Sequence, residues 1–209
     1  MILIFGSYLE FVFCDLYNDD MNLSIVSTEQ RKKIHPHKFV MWVAIASILM
    51  MFAGLTSAYI VKSNQANWQD VVMPKIFWAS TAVILFSSLM VQMALRSFKQ
   101  REMQRYRLLI AFTFVLGVGF VILQGLGFMQ LWDQQITFKG SGAGQFLYVI
   151  FGLHAAHVIG GVIALMIMFA KAFLGRTKLY GSVPVEVMAT YWHFVDILWI
   201  YLFVFFLWI

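Results

Sequence analysis

The fold predicted by the sequence is an all-α integral membrane bundle of five transmembrane helices, with the N-terminus inside and the C-terminus outside. Composition is the first observation behind it: 61% of the 209 residues are apolar and only 12% are charged, against about 25% charged in an ordinary soluble domain. The second is length. Five apolar runs, at 39–61, 76–95, 108–132, 144–170 and 187–209, are each long enough to cross a hydrocarbon layer, which takes roughly 17–25 helical residues. The third is the distribution of basic residues, which fixes the direction of each crossing.

The first three runs contain no Asp, Glu, Lys, Arg or His, so little competes with a membrane assignment there. The fourth and fifth contain both His and, in the fifth, Asp. Between the runs, Lys and Arg alternate in abundance. The N-terminal segment, the second connection and the fourth connection hold twelve of the 15 basic residues, and the first and third connections hold the other three. Basic residues beside helix ends stay on the cytoplasmic side. Residues 1–38 are therefore expected to form an N-terminal cytoplasmic segment and residues 39–209 the transmembrane domain. The net charge of +5 belongs to this inner face, where it serves topology and anionic headgroups, and not to nucleic-acid binding.

Cys14 is the single cysteine, which excludes an internal disulfide and any Cys-x-x-Cys or Cys/His cluster for zinc, copper or iron–sulfur. Residues 1–14 are apolar but lack the basic start of a signal peptide, and Asp15, Asp19 and Asp20 follow them. Met21 opens a polar segment leading into Arg31–Lys38, so translation is expected to start there, with residues 1–20 a gene-calling extension. No internal repeat or low-complexity linker interrupts the chain.

Small residues let transmembrane backbones approach. The pairs Ala53/Ser57 and Ala156/Gly160, together with Gly117, Gly119, Gly125, Gly127 and Gly161, read as packing signals. Trp42, Tyr59, Trp78, Trp132 and Trp208 fall near predicted helix ends, where aromatic rings prefer the headgroup boundary. The thirteen methionines read as apolar filler.

Ionisable groups at membrane depth are costly unless partnered, so they are the candidate functional residues. His154 and His157 lie three apart on the fourth helix, on roughly one face, about 20–24 Å from its inner end. His193 and Asp196 repeat the spacing on the fifth helix, about 9 and 14 Å deep. Antiparallel packing brings His157 within reach of Asp196. Gln124 lies at the depth of His154 and is a second potential partner. Glu186 is two turns before His193, at the inner boundary. These groups suit a buried hydrogen-bond network that fixes helix register, or a proton relay. Haem ligation is disfavoured, because two histidines three apart on one helix cannot take opposite axial positions on one iron.

The strings GQFLYVIFGLHAAHVIGG (144–161) and EVMATYWHFVDILWIYLFVF (186–205) closely resemble the two signature helices of cytochrome c oxidase subunit III and its quinol oxidase counterparts. Tyr191-Trp192-His193-Phe194-Val195-Asp196 followed by Trp199, the His-x-x-His-Val of 154–158, and Glu186 all stand in the family's order. Weaker similarity runs through Leu123-Gln124 and Met51-Phe52-Ala53-Gly54, so the resemblance covers the chain from about Lys38 onward. It is similar to the five-helix form of the family. There are two departures: Ile48 stands where the family commonly has an intramembrane Glu, and Gly127 where many members have another.

The resemblance implies an accessory subunit of a respiratory haem–copper oxidase, in a complex that reduces oxygen to water and pumps protons. It implies no cofactor or metal in this chain, haem and copper in partner subunits, contact with oxidase subunits I and II, bound phospholipid, and residence in a bacterial plasma membrane, within reach of a larger supercomplex. Cytochrome c is the expected electron donor, with quinol the alternative. His154, His157, Gln124, His193, Asp196 and Glu186 are expected to hold the bundle together, none with a catalytic role. The alternative is a stand-alone proton or small-solute transporter, but the sequence lacks the internal repeats and broken helices common in that class. A lipid- or peptidoglycan-processing enzyme is disfavoured by the short third connection, 133–143, which holds no acid/base pair.

Overall fold

A computed structural model describes residues 36–63, 73–133, 142–174 and 182–209. The expectations for the first 35 residues, including a start at Met21, fall outside the described residues. Among the described residues there are five helices: α1 (Pro36–Ser63), α2 (Ile76–Lys99), α3 (Met103–Asp133), α4 (Gly142–Leu174) and α5 (Ser182–Trp208). All five are long and apolar enough to cross a membrane. Most outrun the apolar stretches that predict them, because apolar runs count only residues suited to hydrocarbon. Backbone hydrogen bonding has no reason to stop there: α2 continues through Arg96–Lys99 into the basic boundary.

The α2–α3 connection is the tightest. Arg101 N–H reaches the Phe98 carbonyl and Glu102 N–H the Ser97 carbonyl, which is the paired closure of a Schellman cap. Arg101 occupies the left-handed position of that cap, with φ 62°, where glycine is usual. The two helices it joins form the most extensive helix pair among the described residues.

α2 packs on α3 and α5, and α4 packs on α3 and α5, so these four helices close a ring; α1 lies outside it, against α4 and α5. Contacts fix the directions. Along α2 and α5, Trp78 meets Phe203, Thr81 meets Trp199, Ser88 meets His193 and Lys99 meets Glu186, so one numbering rises as the other falls. Lys38–Glu186, Thr56–Tyr201 and Tyr59–Phe206 rise together, so α1 and α5 run parallel. In consequence Lys38, Lys99, Arg105, Arg107 and Lys171 gather at one end of the helices, with Lys62 and Lys75 at the other.

The middle of the ring is aromatic. Trp192, Trp199, Phe77, Phe120 and Phe151 are almost wholly buried, and the Trp199 ring lies 5.9, 5.5 and 5.4 Å from those of Phe77, Phe120 and Phe151. Trp192 fits because its neighbours are glycines: a Cβ on Gly117 would lie 2.9 Å from the indole, and one on Gly161 3.0 Å. Gly127 is filled in the same way by Phe77, at 2.7 Å. Gly119 and Gly125 meet nothing within 4 Å, and Ala53, Ser57 and Ala156 are exposed. Small residues thus mark helix contacts at only some of the expected positions. Trp42, Trp78, Trp132 and Trp208 are exposed, as a boundary ring would be, whereas Tyr59 is buried against Phe146, Phe205 and Phe206.

Candidate functional site

Polar side chains at membrane depth converge on α2, which contains no charged residue before Arg96. Ser80 and Thr81 recur two helical turns later as Ser87 and Ser88, and this spacing puts both pairs on nearly the same face. That face receives four side chains from its neighbours. Trp192 donates its indole N–H to Ser87 Oγ at 3.1 Å, and Trp199 donates to Thr81 Oγ1 at 2.9 Å. Gln124 of α3 donates to Ser80 Oγ at 3.2 Å. His193 Nδ1 lies 2.6 Å from Ser88 Oγ, and its Nε2 lies 3.2 Å from Gln92 Oε1. An amide oxygen only accepts, so Nε2 carries a proton; in the neutral ring Nδ1 then accepts from the Ser88 hydroxyl.

Glu186 binds two lysines at the basic end. Its Oε2 accepts from Lys38 Nζ of α1 at 2.6 Å and its Oε1 meets Lys99 Nζ of α2 at 3.0 Å. One carboxylate thereby ties three helices. All three side chains keep solvent access, 20% for Glu186, 42% for Lys38 and 53% for Lys99. The cluster is therefore a screened surface arrangement and not a buried ion pair.

The two α4 histidines have different surroundings. His157 Nδ1 donates to the Leu153 carbonyl of its own helix at 2.6 Å. Its own carbonyl accepts from the Tyr191 hydroxyl at 3.0 Å, joining α4 to α5. His154 is 2% exposed and stacks on Trp199 at 5.3 Å, with the edges of Phe52 and Phe120 around it. Neither ring nitrogen of His154 has a hydrogen-bond partner among the described residues. The same holds for both carboxylate oxygens of Asp196, which is also 2% exposed. Ser88, its polar neighbour, has its hydroxyl engaged with His193.

The expected pairs His157–Asp196 and His154–Gln124 are therefore not brought together by hydrogen bonds. His193, Gln124 and Glu186 instead find partners on α2, and Glu186 also on α1. Sequence reasoning missed Ser80, Thr81, Ser87, Ser88 and Gln92, because it ranked membrane residues by charge. The signal was present in the seven-residue recurrence of the hydroxyl pairs. Of the two departures from the family pattern, Ile48 is half-buried, and Gly127 lies where Phe77 leaves no room for a carboxylate side chain. Among the described residues no group of three His, Cys, Asp or Glu side chains is placed to hold a metal ion.

This architecture can be set beside known proteins. A probable cytochrome c oxidase subunit 3 of Nocardia farcinica is 32% identical over 169 residues, covering 78% of this chain and 82% of that one. The probable subunit 3 of Mycobacterium leprae is 32% identical over 168 residues with the same coverage. That of Bacillus sp. strain PS3 is 29% identical over 167 residues, 78% of this chain and 80% of its own. The family model for cytochrome c oxidase subunit III matches residues 37–209. That match takes in all five membrane-spanning helices, including the α4 and α5 motifs whose side chains fill and tie the ring, and on it the chain belongs to the cytochrome c oxidase subunit III family.

Proposed function

We propose that this chain acts as a cofactor-free accessory subunit of a respiratory oxidase in a bacterial plasma membrane, where it steadies the catalytic subunit during turnover. It packs beside oxidase subunit I, with subunit II in the same complex and phospholipid against its apolar flanks. Cytochrome c is the donor to the complex. The N-terminal end of α1 lies on the cytoplasmic side, with the Lys38–Glu186–Lys99 cluster at that boundary, because basic residues are retained there.

One observation carries the reading. The family's two signature stretches fall on α4 and α5, and Glu186, Tyr191, Trp192, His193, Trp199 and Tyr201 in the second of them all bind groups on neighbouring helices. A bundle whose signature side chains tie its helices together suits a scaffold. The transporter alternative gains nothing from five spans that run as unbroken helices, since transporter sites favour interrupted ones.

Following oxygen consumption over many turnovers, with and without this chain in the purified complex, tests the proposal. The expected result is similar initial rates and faster loss of activity in the complex that lacks it. Equal durability of the two preparations would refute the stabilising role.

A further inference from the structure

The outer surface of the bundle is unevenly polar. On α3 from Leu108 to Met129, and on α4 from Val149 to Ala170, every exposed or half-buried side chain is apolar. These are surfaces fit for acyl chains. Between α1 and α2, which do not pack on each other, a stripe of α5 is left uncovered. It runs through Glu186, Thr190, His193, Ile197 and Val204, spaced three, four or seven apart on one face. His193 is half-buried there, as are its partners Ser88 and Gln92.

Gln92 decides what this face can meet. Its Oε1 is committed to His193 Nε2, and its amide NH₂ has no partner among the described residues. A donor left unsatisfied against hydrocarbon is costly, because no water is there to accept from it. His193 lies seven residues beyond Glu186, about 10 Å further along the helix. Phosphates and glycerol esters remain near the boundary, so a lipid offers only acyl chain at that depth.

We propose that this α5 stripe, flanked by α1 and α2, is the surface on which a transmembrane helix of another oxidase subunit docks, presenting a hydrogen-bond acceptor to the Gln92 amide. The inference rests on the oxidase assignment above and adds which face makes the contact. The apolar α3 and α4 faces are left to lipid.

Ile197 and Val115 offer a matched comparison, being 65% and 63% exposed on the α5 stripe and on α3. Ile197→p-benzoylphenylalanine and Val115→p-benzoylphenylalanine are made in the full chain, intact membranes are irradiated, and the complex is purified. The expected result is an adduct with another oxidase subunit from position 197 and adducts with phospholipid alone from 115. The assignment is overturned if 197 yields only lipid adducts, adducts within this chain, or none, or if 115 captures oxidase subunits as efficiently. Gln92→Leu gives a second reading: the chain should leave the purified complex at lower detergent concentration, and unchanged retention counts against the contact. Co-purification with haem-bearing subunits is recorded in every arm, so failure of the oxidase assignment is distinguishable from a wrongly chosen face.

Discussion

The indole of Trp192 occupies the space that a side chain at Gly117 would need, 2.9 Å from the Cβ that alanine would add. Trp192 is held on its other sides too, because a Cβ on Gly161 of α4 would lie 3.0 Å from its ring and Ser87 of α2 holds its N–H. One side chain of α5 therefore sets its spacing to three other helices.

Gly117→Ala is expected to cost about 1–3 kcal/mol, the usual penalty for forcing extra volume into a packed core. Gly119→Ala, two residues away with open space around it, should be neutral or stabilising by up to about 1 kcal/mol, since alanine is the better helix former. Thermal unfolding of the two variants in one detergent checks the contrast. Equal effects would mean that Trp192 does not lock the ring.

Asp196→Asn should leave the bundle's stability within about 1 kcal/mol of the parent, because the exchange breaks no hydrogen bond among the described residues. In the assembled oxidase the initial rate should persist, while association or durability in turnover declines. Immediate loss of electron transfer in a fully assembled complex would contradict this and give Asp196 a more direct role.

Glu186→Gln removes the charge shared by Lys38 and Lys99. With both lysines more than two-fifths exposed, screening keeps the loss below about 1 kcal/mol. The difference from the parent should shrink in about 1 M salt, where the Debye length falls to about 3 Å. Unfolding at low and high ionic strength measures it, and a salt-independent loss would argue against an ion-pair origin.

At the α2–α3 turn, Arg101→Gly should be tolerated and Arg101→Pro should not. The observed φ of 62° suits glycine, costs an L-residue about 1–2 kcal/mol, and is closed to proline, whose ring holds φ near −65°. Yield of folded protein in membranes separates the two; equal yields would mean that the turn does not need its left-handed residue.

The rough positions of the five long apolar helices described were legible in the sequence because hydrocarbon imposes one simple rule on every span. The grouping of basic residues was also legible: Lys38, Lys99, Arg105, Arg107 and Lys171 share one end of the helices. Partner choice was less legible. His193 and Asp196 lie one turn apart on the same helix, yet one finds Ser88 and Gln92 while the other finds no hydrogen-bond partner among the described residues. The difference lies in which face of α5 meets α2, and helical spacing alone does not specify that. Glycines were readable as a class but not singly: Gly117 and Gly119 differ only in whether a Trp192 edge lies opposite. The hydroxyl pairs of α2 were overlooked because serine and threonine satisfy themselves so often within a helix that their interhelical use shows only in the repeat.

Affinity purification of the tagged chain from its native membrane in mild detergent tests the central claim most directly. The account predicts a stable complex containing haem and copper in other subunits, stoichiometric with this chain. Isolation of the chain without haem-bearing partners, together with proton flux when it alone is placed in liposomes, would contradict it.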